Sequence, residues 1–167
     1  MTYQFKVQSQ NSYSLSPDSE TITLLCAFKP EPPLTVSTTN VNELVTIAWD
    51  EPVNNGFEIH AYRFFFLTSD GTTFAEESTE CDGTNQAIVS GLQCQVALTT
   101  FQAAPFSLSQ GTSIVVKIVS VNTYGESAES TTGNGAVIRN VPDAPINLQN
   151  VAFDIVDRTN PETTTDT

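Results

Sequence analysis

Basic residues are scarce in this chain. Lys and Arg number 6 against 19 Asp and Glu, a formal net charge of −13. Nucleic-acid binding needs a basic patch to neutralise phosphates, so this balance argues against it. An anionic membrane surface would repel the chain. The acidity reads as a solvated surface that favours solubility and identifies no partner. Histidine occurs once, as His60. A His-based triad needs Ser and Asp held beside it, and Ile59 and Ala61 place His60 instead at a half-exposed strand position. Cysteine occurs three times, as Cys26, Cys81 and Cys94, at spacings that match no zinc signature. No apolar run approaches the roughly 20 residues that span a bilayer. Residues 1–4 lack the apolar core of a signal peptide and read as the start of a strand, so either the natural chain begins earlier or a leader has been removed. No Asn begins an Asn-X-Ser/Thr sequon.

What the chain does have is an internal repeat. Over 111–122, Ile114, Val116, Ile118, Ser120 and Asn122 share one parity, the pattern of a strand with one buried face. A Gly-containing turn follows at Thr123-Tyr124-Gly125. The same pattern stands at the N-terminus, where Tyr3, Phe5, Val7, Ser9 and Asn11 lead into Ser12-Tyr13-Ser14. Lys6 matches Lys117 and Asn11 matches Asn122, each pair 111 positions apart. Pro30-Glu31-Pro32-Pro33 matches Pro142-Asp143-Ala144-Pro145 at a spacing of 112. A period of this length exceeds solenoid repeats of about 20–50 residues and suits a β-sandwich domain of about 100. The chain therefore divides into the last two strands of a preceding domain (1–29), one complete domain (30–141), and the first strand of a following domain with a Thr-rich tail (142–167).

In chain order, 3–28 reads as a hairpin, and Pro30, Pro32 and Pro33 end any ladder. Strands are expected at 34–38, 41–49, 58–67 and 72–78, with Asp70-Gly71 as a hairpin turn. A turn at Asp82-Gly83 and a short strand at Ala87-Ile88-Val89 follow. The 111–122 strand and a last strand ending near Ile138 complete the domain. Turn residues every 8–12 positions and no convincing helical period make the chain all-β.

From Trp49 onward the pattern resembles a fibronectin type III domain, an immunoglobulin-like β-sandwich. The residues carrying the resemblance are Pro33, Trp49, Pro52, Gly56, Ile59 and Tyr62, then Leu108, Gly111, Val116, Ile118, Ser120, Asn122, Gly125 and Ser127. Ile114 replaces the aromatic of the family pattern, which Tyr3 keeps in the N-terminal copy. The cysteine pair and the stretch Val137-Ile138-Arg139-Asn140-Val141-Pro142-Asp143-Ala144-Pro145 also resemble repeats of large ciliate surface proteins. The resemblance implies extracellular or cell-surface structural or adhesive work, with no catalytic residues and no cofactor to carry over. The following domain departs from the pattern: at offset 112, Trp49 falls on Pro161 and Ile47 on Thr159.

Two readings stand for the cysteines. Cys81 and Cys94 flank a short turn and pair as a disulfide, adding roughly 3 kcal/mol by loop closure, or all three thiols are reduced core residues. The extracellular setting that the resemblance implies favours the disulfide, with Cys26 buried on the hairpin face. Asp50-Glu51 and Glu76-Glu77 are adjacent carboxylates, but consecutive strand residues face opposite ways, so neither makes an acid/base couple. Calcium at a junction through Asp50, Glu51 or Asp143 would lack the EF-hand ligand order. Thr163, Thr164 and Thr165 are candidates for O-glycans or a flexible linker.

No phosphate loop, metal cluster or His partner supports an enzyme. The remaining readings are a segment of a head-to-tail, self-associating filament of sandwich domains, and a binding module that recognises a receptor or glycan through loop 50–57. Two sets of residues are expected at interfaces. One is an apolar outer sheet face of Phe65, Leu67, Val115, Val119 and Val121, since large exposed patches mark interaction sites. The other joins the ends: Tyr3, Phe5 and Val7 of the hairpin have no sheet to bury them, and a strand with Val151, Phe153 and Ile155 has no partner. Either 145–160 of one protomer packs near 3–28 of another by strand complementation, or the chain is one period of a longer covalent array.

Overall fold

The computed structural model describes residues 2–139. An N-terminal ladder pairs β1 (Thr2–Phe5) with β2 (Ile22–Leu25), antiparallel, with Tyr3 opposite Leu24. The complete domain begins at β3 (Leu34–Val41), which pairs with β4 (Leu44–Asp50). Strand β5 (Ile59–Leu67) turns back into β6 (Phe74–Glu77). Helix α1 (Gln86–Gly91), strand β7 (Gln93–Ala97) and helix α2 (Leu98–Gln102) follow, then β8 (Val116–Asn122) and β9 (Gly125–Glu126). Two sheets result, one ordered β3-β4-β7 and the other β6-β5-β8-β9.

Period-two alternation builds the core between them. Val45, Ile47 and Trp49 of β4 and Val96 of β7 face Tyr62, Phe64 and Phe66 of β5 and Val116 and Ile118 of β8, all buried. Trp49 packs on Tyr62 and Phe64 with ring centroids 5.0 and 5.2 Å apart. Phe101 and Phe106, which follow β7, close one end of the core on Phe66 at 4.8 and 6.0 Å. Such offset aromatic pairs add about 0.5–1.5 kcal/mol each beyond area burial. Gly83 is required by close approach, because a Cβ there would stand 1.7 Å from the Tyr62 carbonyl oxygen.

The open side between edge strands β6 and β7 is clipped. Glu77 turns inward and accepts the backbone N–H groups of Thr79, Glu80 and Cys81 at 2.8, 3.0 and 2.8 Å. Glu80 accepts the Ala97 N–H at 2.7 Å and the Thr100 hydroxyl. Between these two carboxylate anchors, Cys81 and Cys94 form a disulfide with Cα atoms 5.5 Å apart.

Three expectations need correction. Ala87, Ile88 and Val89 lie in helix α1 and not in a strand. The Asn85 side chain caps the helix by accepting the Ala87 N–H at 2.9 Å, and Leu92 ends it in the left-handed region at φ 52°; that local capping overrides the β-branched pair. The first strand ends its regular ladder at Phe5, because serine side chains take over the pairing beyond it. The last segment runs beside 111–120 without a regular ladder: it bridges Ser113 and Val116 at Val137 and Gly133, and further backbone bonds join Ala136 to Ile114 and Ile138 to Gly111 and Thr112.

Candidate functional site

The outer face of the β6-β5-β8-β9 sheet is not the bare apolar patch expected. Val119 is buried and Phe65, Leu67, Val115 and Val121 are half-buried. Two charged residues of the same parity account for this. Arg63, opposite Val119, binds Glu76 at 2.8 Å and Glu126 at 2.9 Å, with its guanidinium 4.9 Å from the Phe65 ring centroid. Lys117 binds Glu129 at 2.8 Å and lies 4.2 Å from the Phe74 ring centroid. Arg63 is thus the direct cross-strand neighbour of Val119 and Lys117 that of Phe65, so two long side chains stand on this face beside its apolar residues. The Arg63 guanidinium holds the Glu76 carboxyl below its ordinary range.

The hairpin 2–28 is a second instance of the β8–β9 hairpin in its hydrogen bonds as well as its sequence. The Ser9 N–H donates to Ser16 Oγ at 3.0 Å, and the Ser120 N–H donates to Ser127 Oγ at 3.1 Å. Val7 N–H to Ser19 Oγ (3.0 Å) matches Ile118 N–H to Ser130 Oγ (2.9 Å). Asn11 Oδ1 accepts the Tyr13 N–H at 2.9 Å, as Asn122 Oδ1 accepts the Tyr124 N–H at 2.8 Å. The Lys6–Asp18 ion pair matches Lys117–Glu129. Every residue in these pairs stands 111 positions from its counterpart. The two differ in burial. Tyr3, Phe5 and Val7 are 46, 50 and 70% exposed, whereas Ile114, Val116 and Ile118 are 0% exposed. Val151, Phe153 and Ile155 lie outside the described residues, as does Asp143.

Residues 26–33 join hairpin to domain and are gripped by two loops of the domain. The Phe28 N–H donates to the Asn55 carbonyl at 3.2 Å, and the Glu31 N–H to the Val53 carbonyl at 2.9 Å. Asn55 Nδ2 donates to the Lys29 carbonyl at 2.8 Å. Asn122 Nδ2 donates to the Phe28 carbonyl at 2.7 Å and the Asn54 carbonyl at 3.2 Å. Ser120 Oγ donates to the Glu31 carbonyl at 2.7 Å. Gly56 sits at φ +92°, a conformation that favours glycine, and its missing Cβ would stand 3.2 Å from the Cys26 carbonyl oxygen. Cys26 is half-buried beside this contact. Sequence reasoning saw Ser120, Asn122, Asn54 and Asn55 only as pattern and turn residues; Pro30 and Pro33, both buried, were the visible sign of a fixed junction.

His60 is exposed on β5, and Asp50 and Glu51 are exposed at the end of β4. Glu76 and Glu77 point to opposite faces, into separate networks. Among the described residues, no group of three His, Cys, Asp or Glu is placed to hold a metal ion, and no helix is long and apolar enough to cross a membrane.

The fold is that of a fibronectin type III-like β-sandwich. A crystal structure of titin domains A168–A170 matches at a TM-score of 0.52 and 18% identity, over 82% of this chain and 41% of that one. A structure titled FN3tt mut matches at 0.40 and 15%, over 64% and 93% of the two chains. The twitchin kinase region from C. elegans matches at 0.45 and 18%, over 65% and 16%. The chain thus spans about two fifths of the titin structure. No protein-family model matches the sequence, and no curated protein does.

Proposed function

We propose that this chain is a non-catalytic structural segment of an extracellular or cell-surface filament, built from tandem or strand-completed β-sandwich domains. The observation that carries the reading is the second hairpin. It reproduces the β8–β9 hydrogen bonds while leaving exposed the side chains that the complete domain buries. That face is completed either by residues 145–160 of another protomer or by covalently preceding sequence, and both give a linear array. A head-to-tail contact of this kind is heterologous, so without closure it propagates. The Cys81–Cys94 disulfide supports an oxidising compartment. A receptor- or glycan-binding role for loop 50–57 is less favoured, because Val53, Asn54 and Asn55 already spend their backbone groups on the junction.

Electron microscopy and sedimentation of the purified chain test the reading. The expectation is concentration-dependent linear oligomers that Val7→Lys abolishes without unfolding the domain. A monomer at every concentration refutes self-assembly, and intact mass of the native polypeptide then decides whether a longer covalent array stands in its place.

A further inference from the structure

The hairpin has two outer edges, and one of them suits a further strand of the kind the complete domain supplies. In the domain, the 133–138 segment lies between β8 and β3. A Cβ at Gly133 would stand 2.5 Å from both the Val36 side chain and the Val36 carbonyl oxygen. Ile22 holds the Gly133 position in the hairpin, since Phe5 pairs with Ile22 as Val116 bridges Gly133. A strand placed like β3 would therefore run into the Ile22 side chain. The other edge is that of β1. Its counterpart β8 pairs along that edge with β5, with Phe66 opposite Val116, Phe64 opposite Ile118 and Tyr62 opposite Ser120. The hairpin equivalents are Phe5, Val7 and Ser9, 111 positions earlier. The Val7 and Ser9 backbones bond toward Ser19 and Ser16. Those of Lys6 and Gln8 face the open edge, where no partner meets them among the described residues.

We infer that residues 151–156 of a second copy of the chain add to this edge as an antiparallel strand, in one register. The inference rests on the filament reading and deepens it by naming the strand, its direction and its partners. A strand here needs apolar residues at every second position, as Tyr62, Phe64 and Phe66 provide in β5. Val151, Phe153 and Ile155 supply that spacing. By the repeat this segment corresponds to β3, but Thr159-Asn160-Pro161 stands where Ile47-Ala48-Trp49 of β4 would pair with it, and proline donates nothing to a ladder. Parity allows registers two residues apart, and charge selects among them. With Ile155 opposite Phe5, Phe153 opposite Val7 and Val151 opposite Ser9, Asp154 stands opposite Lys6, the one basic residue of 1–28. A shift of two in either direction moves Asp154 to Gln4 or Gln8 instead. Lys6 has three donors and spends one on Asp18, so a second carboxylate can share it.

The test mixes two full-length preparations, one carrying Gln8→Cys and the other Ala152→Cys. These positions are opposite each other in the inferred register and lie outside both the apolar face and the charge pair. Under mild oxidation they should give an 8–152 disulfide, mapped by mass spectrometry apart from any product of Cys26. Its yield should be several-fold above that of 8–150 when Asn150→Cys replaces Ala152→Cys. Directly opposite residues of this kind have Cα atoms about 5.5 Å apart, whereas diagonal ones exceed the roughly 7 Å limit of a disulfide. Adding Lys6→Glu to the Gln8→Cys chain should lower the yield several-fold, because like charges then meet. Adding Asp154→Lys to the other chain should restore it, which separates loss of the contact from damage to the hairpin. A yield that Lys6→Glu leaves unchanged, or that Asp154→Lys does not restore, overturns the register. Oligomers by sedimentation with an 8–152 yield no higher than 8–150 would overturn the inference and leave the filament reading standing. A monomer at every concentration, with no adduct, overturns both, as does an 8–152 disulfide that forms only within a single chain carrying both cysteines.

Discussion

Asn122 is the sharpest place to perturb the junction. Its side chain is 2% exposed and makes three hydrogen bonds, to the Phe28 carbonyl (2.7 Å), the Asn54 carbonyl (3.2 Å) and the Tyr124 N–H (2.8 Å). Alanine removes all three. At about 0.5–1.5 kcal/mol net for each bond, more where a carbonyl is left without a partner, the loss is about 3 kcal/mol. With a urea slope near 2 kcal/mol/M, the unfolding midpoint falls by about 1.5 M. Trp49 reports the transition directly, being the single tryptophan of the chain and 4% exposed in the core. The counterpart substitution, Asn11→Ala, provides the contrast. Asn11 is exposed and accepts only from the local Tyr13 and Ser14 N–H groups, so its removal should change stability by less than about 0.5 kcal/mol. A result in which Asn122→Ala and Asn11→Ala cost the same would refute the assignment of Asn122 as the clamp.

Replacing both Cys81 and Cys94 by Ser removes a cross-link closing a separation of 13 residues and should lower stability by about 3 kcal/mol, read by urea unfolding with and without reductant. Gly83→Ala forces a Cβ to within 1.7 Å of the Tyr62 oxygen; the expected outcome is a loss of more than about 3 kcal/mol or a failure to fold, seen by circular dichroism. Glu76 has its folded value depressed below the ordinary 4.5 by the Arg63 hydrogen bonds, so its contribution is present above that ordinary value and is lost as pH falls through the folded one. The stability gap between the wild type and Glu76→Gln should therefore narrow as pH falls below the ordinary 4.5 in paired unfolding curves.

The core was legible because strand parity alone decides it. Tyr62, Phe64 and Phe66, and Val116 and Ile118, alternate with residues of the other face, and all five are buried. The repeat was legible in Lys6, Asn11 and the proline clusters because one geometry demands one set of residues twice. The outer sheet face was misjudged by tracking valines and leaving out Arg63 and Lys117, two long side chains that stand on the same face beside its apolar residues. Helix α1 was hidden because Ile88 and Val89 carry strand propensity, while the cap and the flanking disulfide that fix the helix act through residues outside that triplet. The junction clamp was hidden for a different reason. Its bonds run between segments up to 94 residues apart, and Asn and Ser in turn-rich sequence give no sign of which carbonyl they will reach.

The serine pattern also explains how the N-terminal hairpin holds its form with no third strand paired to it among the described residues. An isolated two-stranded hairpin is marginal in water. Here the ladder of Thr2–Phe5 with Ile22–Leu25 is extended by the Ser16 and Ser19 hydroxyls, which accept the Ser9 and Val7 N–H groups, and the Ser16 and Ser19 N–H groups return bonds to the Ser9 and Val7 carbonyls at 2.8 and 3.0 Å. These bonds are local to the hairpin, so they form whether or not the apolar face is covered. Tyr3, Phe5 and Val7 are thereby presented in the register that Ile114, Val116 and Ile118 adopt in the finished core. A face ordered before contact loses less conformational entropy on docking than a disordered segment does. In the proposed assembly the hairpin would add as a pre-shaped sandwich edge rather than fold upon binding, while the Asn122 and Asn55 bonds to residues 28–29 tie it to the complete domain.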